Sequence, residues 1–310
     1  MKRQRGVALL SAVLVVALAV VLLAGLLDRG EASRARSRNL LRGEQTWQFV
    51  LGVELWAKAS LLRARQQNNG HDAPGAVWLQ PLPPVPVPGG QVSGALQDAN
   101  GCFNLNALDE GGETGDAAQR RFERLLRALK LNPVIAAQAA DWRDADSDTR
   151  SGGAEDARYQ AQQPAYRAAN GKFAHVSELR LLPAMDAKAY QTLRPHVCAL
   201  PTESKTNLNF ASPALWMSVK EGITEQQARA LWRDGRASYG ALEDVVAAMQ
   251  ALGIVMTVAE LQTDYDVRSE YFRVGSEIRL DGLPFTYTSL LHRNPQTGMV
   301  DVLVRVRGPL

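Results

Sequence analysis

Residues 7–27 are apolar but for one polar side chain, Ser11. These 21 residues span about 30 Å as an α-helix, the thickness of a bilayer's hydrocarbon core, and so predict a membrane helix. Beyond it the apolar positions narrow to one face. Leu40, Trp47, Leu51, Leu55 and Leu62 recur at helical spacing, which predicts an amphipathic continuation to about residue 65 whose stripe packs on a sheet. Gly25 and Gly30 leave two forms open, one unbroken helix or two hinged ones. Residues 66–75 are polar, and residues 81–90 hold Pro81, Pro83, Pro84, Pro86 and Pro88, predicting loop or polyproline II. Residues 91–96 and 102–105 flank Asp98-Ala99-Asn100-Gly101, whose Asn-Gly pair suits a tight turn and predicts a β-hairpin.

The middle of the chain changes to helical periodicity. Asn104-Leu105-Asn106 returns as Asn207-Leu208-Asn209, each time just before a helical segment, which predicts two related helical units. In the first, residues 114–131 carry Phe122, Leu125, Leu126 and Leu129 on one face. Residues 176–193 form two short helices joined at Leu182-Pro183-Ala184-Met185, the second capped by Asp186. In the second unit, residues 213–219 and 224–232 are joined by Lys220-Glu221-Gly222-Ile223, with Thr224 and Gln227 spaced as a capping box. Residues 269–280, 285–293 and 299–307 then read as strands, the last two linked by Asn294-Pro295-Gln296-Thr297-Gly298. In the final strand Val300, Val302, Val304 and Val306 alternate with Asp301, Leu303, Arg305 and Arg307, predicting an apolar face toward the long helix.

The implied fold is α+β: a long amino-terminal helix on an antiparallel sheet, interrupted by an all-helical insertion similar to sterile-alpha-motif or helix-hairpin-helix folds. With 310 residues and 46% hydrophobic composition the chain can bury a sizeable core, and its net charge of +3 is too small to argue for nucleic acid. A membrane-anchored DNA-binding protein of the competence type is the alternative that the helix-hairpin-helix likeness raises. Its phosphate contacts need glycine-rich hairpins, whereas Leu-Pro-Ala-Met and Glu-Gly-Ile-Thr lack the second glycine and Glu221 repels a phosphate. His71, His175, His196 and His292 lack metal-ligand spacing, and no nucleophile elbow, phosphate loop, dinucleotide fingerprint or zincin motif occurs. Nothing in the sequence argues for an enzyme.

Two clusters carry the remaining chemistry. Asp141, Asp144, Asp146, Asp148, Glu155 and Asp156 put six carboxylates within sixteen residues, bracketed by Gly152 and Gly153. Such a stretch either folds oxygen ligands around a hard cation such as Ca²⁺ or is a solvated loop paired with Arg143, Arg150 and Arg158; its spacing is not that of an EF-hand. Cys102 and Cys198, the two cysteines, both fall at the neck of the helical insertion. Their placement predicts a disulfide there, the alternative being two separate buried thiols.

At the amino terminus, Lys2, Arg3 and Arg5 precede Gly6 and the apolar run. A cleaved secretory signal has a shorter core with its cut site behind it, and a plain signal anchor needs no cut at all. Cutting after Gly6 would instead remove the charges and keep the helix, which resembles a type IV prepilin leader. That resemblance implies a prepilin peptidase that cleaves after Gly6 and methylates Val7, and it makes Ser11 the fifth mature residue, where most pilins carry glutamate. Arg29, Arg34, Arg36, Arg38 and Arg42 follow the helix and oppose the positive-inside rule, so only the resemblance puts the carboxyl side in the periplasm.

With Ser11, with Gly101-Cys102-Phe103-Asn104-Leu105-Asn106, with the Asp-Trp-x-Asp-x-Asp stretch ending Gly-Ala-Glu-Asp, and with Val176-Ser177-Glu178-Leu179-Arg180-Leu181, the mature chain resembles the minor pseudopilin K family of type II secretion. The resemblance implies a non-enzymatic single-pass inner-membrane subunit at the tip of the pseudopilus. It would start assembly with the minor pseudopilins I and J, join the rest of the pseudopilus, and support export of folded proteins, with secreted substrates touching the helical domain. It also implies calcium in that domain. The resulting division is a leader at 1–6, a pilin helix at 7–65, linker and first strands at 66–106, the inserted helical domain at 107–260, and carboxyl-terminal strands at 261–310.

Overall fold

The computed structural model describes residues 4–67, 70–108 and 112–308. Met1, Lys2 and Arg3, and the side chains at the expected cut between Gly6 and Val7, lie outside the described residues. Helix α1 (Gln4–Gln67) is one unbroken element, with no hinge at Gly25 or Gly30. At 1.5 Å per residue it is roughly 95 Å long. Among the described residues it is the one helix long and apolar enough to cross a membrane. Leu9, Leu14, Leu18, Leu22 and Leu26 all stand exposed, packing on nothing within the chain.

The far end of α1 lies on a five-stranded antiparallel sheet of order β1-β2-β7-β8-β9, built from β1 (Leu82–Val87), β2 (Gly90–Asp98), β7 (Tyr271–Leu280), β8 (Leu283–Arg293) and β9 (Val300–Arg307). The seat is not the expected leucine stripe. Val50, Val53, Ala57, Leu61 and Ala64 are buried against Trp78, Leu96, Phe272, Val274 and Ile278, while Leu40, Leu55 and Leu62 face outward. Small side chains let helix and sheet approach closely. A Cβ on Gly94 would come within 2.6 Å of Val53 Cγ1, so glycine in β2 makes room for the helix.

Three further expectations fail in the sheet for identifiable reasons. The proline-rich stretch is strand β1, because it sits at the sheet edge, where missing N–H groups cost nothing on the open side and a register irregularity between Leu82 and Val85 absorbs the rest. The expected hairpin at Asn100-Gly101 does not form; neither residue has positive φ, and β2 pairs instead with β1 and β7. In β9 a bulge between the partners of Leu290 and Leu291 reverses the alternation. Val300 and Val302 pack on the helix side, but Val304 is 45% exposed. Arg305 takes the inward place and donates through Nε (2.7 Å) and Nη2 (2.9 Å) to the carboxylate of the buried Glu54 in α1, which also accepts from Ser289 Oγ at 2.6 Å.

Between β2 and β7 the chain makes the helical insertion. It begins with β3 (Phe103–Asn104), runs through α2 (Gly112–Ala128), α3 (Val134–Arg143), α4 (Asp156–Gln160) and α5 (Ala187–Leu193), and closes with β4 (Val197–Cys198), which pairs parallel to β3. The second unit repeats that plan: β5 (Thr206–Asn207), then α6 (Pro213–Val219), α7 (Glu225–Trp232), α8 (Leu242–Ala251) and α9 (Val258–Leu261), then β6 (Tyr265–Asp266) parallel to β5. The Asp186 cap and the Thr224/Gln227 capping box form as the sequence predicts. Phe122, Leu126, Ile135, Trp142, Leu179, Leu208, Trp216 and Leu231 belong to one continuous core, so the two units are packed as a single body.

Candidate functional site

Three features of the insertion are built to high specification: two asparagine clamps, a covalent neck, and an acidic loop. In the first clamp Asn104 Oδ1 accepts from the backbone N–H of Asn106 (3.1 Å) and Leu200 (3.0 Å). Asn106 then pins the middle of its unit, accepting from Phe173 N–H at 2.7 Å and donating to the carbonyls of Phe173 and Leu200. Asn207 and Asn209 do the same work one unit later. Asn207 Oδ1 accepts from Asn209 N–H at 3.0 Å, and Asn209 accepts from Tyr239 N–H at 2.7 Å while donating to the carbonyls of Asp72 and Tyr239. A buried amide can satisfy backbone donors and acceptors at once, which explains why the repeated tripeptide uses asparagine twice.

The second clamp also ties the insertion to the pilin-like body. Asp72, just beyond α1, is ion-paired with buried Arg293 of β8 and accepts from Ser269 N–H at 2.9 Å. At the other entry Asn100 Oδ1 accepts from Glu270 and Tyr271 N–H, and its Nδ2 donates to the carbonyl of Lys205 at 2.8 Å. Cys102 and Cys198 are joined by a disulfide across the same neck, with Cα atoms 5.8 Å apart.

The acidic loop follows α3. Of the six candidate carboxylates the fold brings three together, with ligand oxygens of Asp144, Asp146 and Glu155 all within 4.8 Å of one another. Asp141 is not in that cluster: its Oδ1 takes Arg150 Nη1 at 2.8 Å, and its Oδ2 accepts the N–H of Arg150 (3.2 Å) and Ala154 (2.9 Å). It folds the loop from behind. A Cβ on Gly153 would lie 1.8 Å from Asp141 Oδ2, so glycine is needed for that approach. Asp148 contributes its backbone N–H to Asp146 Oδ1, and Asp156 accepts from Ala168 N–H at 2.9 Å, so both stand outside the cluster as well.

The electrostatics of this loop are unbalanced. Both carboxylate oxygens of Glu155 and Oδ1 of Asp144 are buried with no hydrogen-bond donor. Burial first, and repulsion from Asp141, Asp144 and Asp146 next, push the Glu155 carboxyl up to about 7. Asp144 is raised too, by burial, against the pull of Arg150. Orphaned buried carboxylate oxygens cost several kcal/mol each unless a cation joins them, and a hard ion with oxygen ligands fits this donor set. Arg150, bonded to both Asp141 and Asp144, is the residue sequence reasoning undervalued. In the fold it holds the Asp141 and Asp144 side of the loop and leaves Glu155 unpaired.

The description "Type II secretion system (T2SS), protein K" matches residues 101–202. The chain is 34% identical to the type II secretion system protein K of Pseudomonas aeruginosa, with 98% of this chain and 93% of that protein covered. It is 32% identical to the protein of that name from Pectobacterium carotovorum, over 95% of this chain and 94% of the relative. In three dimensions it is similar to a chain of the crystal structure of the GspK-GspI-GspJ complex from enterotoxigenic Escherichia coli, at a TM-score of 0.75 and 27% identity, covering 89% of this chain and 100% of that one. With the long helix on its sheet, the interrupting helical body and near full-length likeness to these relatives, the chain belongs to the type II secretion system protein K family.

Proposed function

We propose that the chain is a structural minor pseudopilin that sits at the tip of the type II secretion pseudopilus, starts its assembly with the minor pseudopilins I and J, and so supports export of folded proteins across the outer membrane. The carrying observation is the apolar face that α1 leaves uncovered. Leu40, Leu55 and Leu62 are 72%, 67% and 48% exposed, Trp47 and half-buried Leu51 lie on the same stripe, and the chain's own sheet takes a different face. An exposed stripe of that length on a helix is what a partner helix covers. The similar solved chain is part of a complex with I and J, which supplies the partners.

In this reading residues 7–27 lie in the inner membrane and the sheet and helical body lie in the periplasm. The prepilin peptidase removes residues 1–6, and secreted substrates meet the helical body. The acidic loop holds a calcium ion through Asp144, Asp146 and Glu155, with Asp141 and Arg150 setting the loop's shape. The ion would supply structural neutralisation and no chemistry.

Assembly is tested by co-purifying the detergent-solubilised chain with I and J. The native chain is expected to elute with both. The pair Leu55→Glu and Leu62→Glu, at exposed positions outside the helix–sheet core, should keep its melting temperature and lose the partners. Retention of I and J by that variant would sink the reading.

A further inference from the structure

A cleft of about 940 Å³ opens between the sheet and the first helical unit, beside the disulfide neck. Arg273 projects from β7 into it, Arg194 closes α5 at its rim, and Arg180 lies across it beside Tyr190, whose ring its guanidinium covers at 5.7 Å. Among the described residues none of these three arginines has a carboxylate within ion-pair distance. Arg273 Nε is buried with no hydrogen-bond acceptor. Burial lowers its pKa from the ordinary arginine value; the charge of Asp98 opposes this and that of Arg194 adds to it. The lone acid in the lining, Asp98, already accepts from Ser269 Oγ and Gly101 N–H.

We propose that this cleft binds an acidic, extended segment of another protein chain, whose carboxylates bond Arg180, Arg194 and Arg273. Planar guanidinium groups match carboxylates in a fork geometry, and Arg180 and Arg194 stand exposed at the cleft with no carboxylate of their own. Val176, Pro195 and Phe210 add apolar walls, and the volume far exceeds that of a single inorganic ion, so side chains between the acids also find contact. A lipid headgroup is out of reach. The cleft lies beside the end of the sheet near Leu61, where Arg65 reaches the carbonyls of Pro295 and Gln296, and the helix places that level about 50 Å beyond Leu27. The inference is independent of the assembly reading, since it concerns a different face and needs no partner on α1.

The test measures fluorescence anisotropy of a labelled decapeptide of alternating glutamate and leucine with the full chain in neutral detergent micelles. A decapeptide with glutamine replacing glutamate is the comparison. The expected result is binding of the acidic peptide only, weakened at least about tenfold by Arg180→Gln plus Arg194→Gln, both on exposed positions, and weakened again by added salt. A second variant, Arg36→Gln plus Arg38→Gln, removes charge near the membrane span and should leave affinity unchanged. Loss of binding in that second variant with none in the first would overturn the proposal. So would no binding at low salt, or full displacement by millimolar sulfate with equal affinity for both peptides, which would show a site for an adventitious ion only.

Discussion

Asp98 shows how far a single residue can be read. The sequence puts it in a turn, whereas it ends strand β2, and its environment was not legible because its hydrogen-bond partners are residues 101 and 269. Burial dominates and lifts its carboxyl to about 6, against the hydrogen bonds from Ser269, Gly101 and Asn100. An acid whose folded pKa lies above its unfolded value of 3.8 binds its proton more tightly when folded. Its stabilising contribution is therefore complete below about pH 4 and lost as pH rises through 6, up to about 3 kcal/mol in all. Asp98→Asn keeps an oxygen for Ser269 and does not titrate. Urea unfolding across pH 4 to 7 should show a decline in the native chain that is shallower in this variant; identical slopes would remove Asp98 as the cause. The asparagine pairs teach the same lesson. Their repetition was visible, yet only the fold shows that Asn106 and Asn209 each pin the midpoint of a helical unit.

Among elements, those with a strong local signal were readable. The Thr224/Gln227 capping box, the Asp186 cap and the strands at the carboxyl end lie where the pattern put them, because caps and alternation act within a few residues. The α1 stripe misled because the helix has two apolar faces. The larger leucines predicted burial, while the seat uses Val50, Val53, Ala57, Leu61 and Ala64, with Val53 against Gly94. Strand β1 hid behind its prolines, and the β9 bulge reversed an alternation that was itself correct as far as Val302. The disulfide acts at this scale too, since it ties β3 to β4 and closes a loop across a sequence separation of 96 residues. In the chain-entropy account such a loop is worth about 4 to 5 kcal/mol. Cys102→Ser with Cys198→Ser should lower the unfolding free energy by about that amount, and non-reducing peptide mapping of the native chain should find the bridged pair. Two free thiols by mapping, with unchanged stability in the variant, would show that the neck is held by its hydrogen bonds alone.

The acidic loop also belongs to elements, because three separated carboxylates become a cluster only when α3 ends at Arg143 and the loop returns to α4. Six acids were legible in the sequence; which three converge was not. Calcium at about one hundred times its dissociation constant should stabilise the chain by about 2.7 kcal/mol through mass action. Isothermal calorimetry and thermal melting of the full chain in detergent, with calcium or a chelator, measure this. Glu155→Gln should abolish the calcium-dependent rise in melting temperature without lowering the calcium-free value, because it removes a repelled, unpaired carboxylate. An equal rise in native chain and variant would exclude Glu155 as a ligand.

For the molecule as a whole, the question is which end of α1 is free. The helix is continuous from Gln4, so the first residues and the apolar span form one rod whose far half is fixed to the sheet by Val50, Val53, Ala57 and Leu61. The rod therefore fixes the distance between the membrane and the helical body. Retaining Lys2, Arg3 and Arg5 would hold three positive charges at the end of a span that otherwise carries none. Moving them through hydrocarbon costs several kcal/mol per charge, so a chain that keeps its leader would be pinned with those charges on one side of the membrane. Under the proposed function, cleavage after Gly6 would release that pin and let the rod be drawn out of the bilayer into a growing filament. Intact-mass spectrometry of the chain from cells with a prepilin peptidase should give an amino terminus at Val7, with one added methyl group. Gly6→Phe should give the full-length precursor, still inserted and still folded, as judged by an unchanged melting temperature of the sheet and helical body. A native chain that begins at Met1 in such cells would make α1 a plain anchor, with the sheet and helical body held permanently at one height above the membrane.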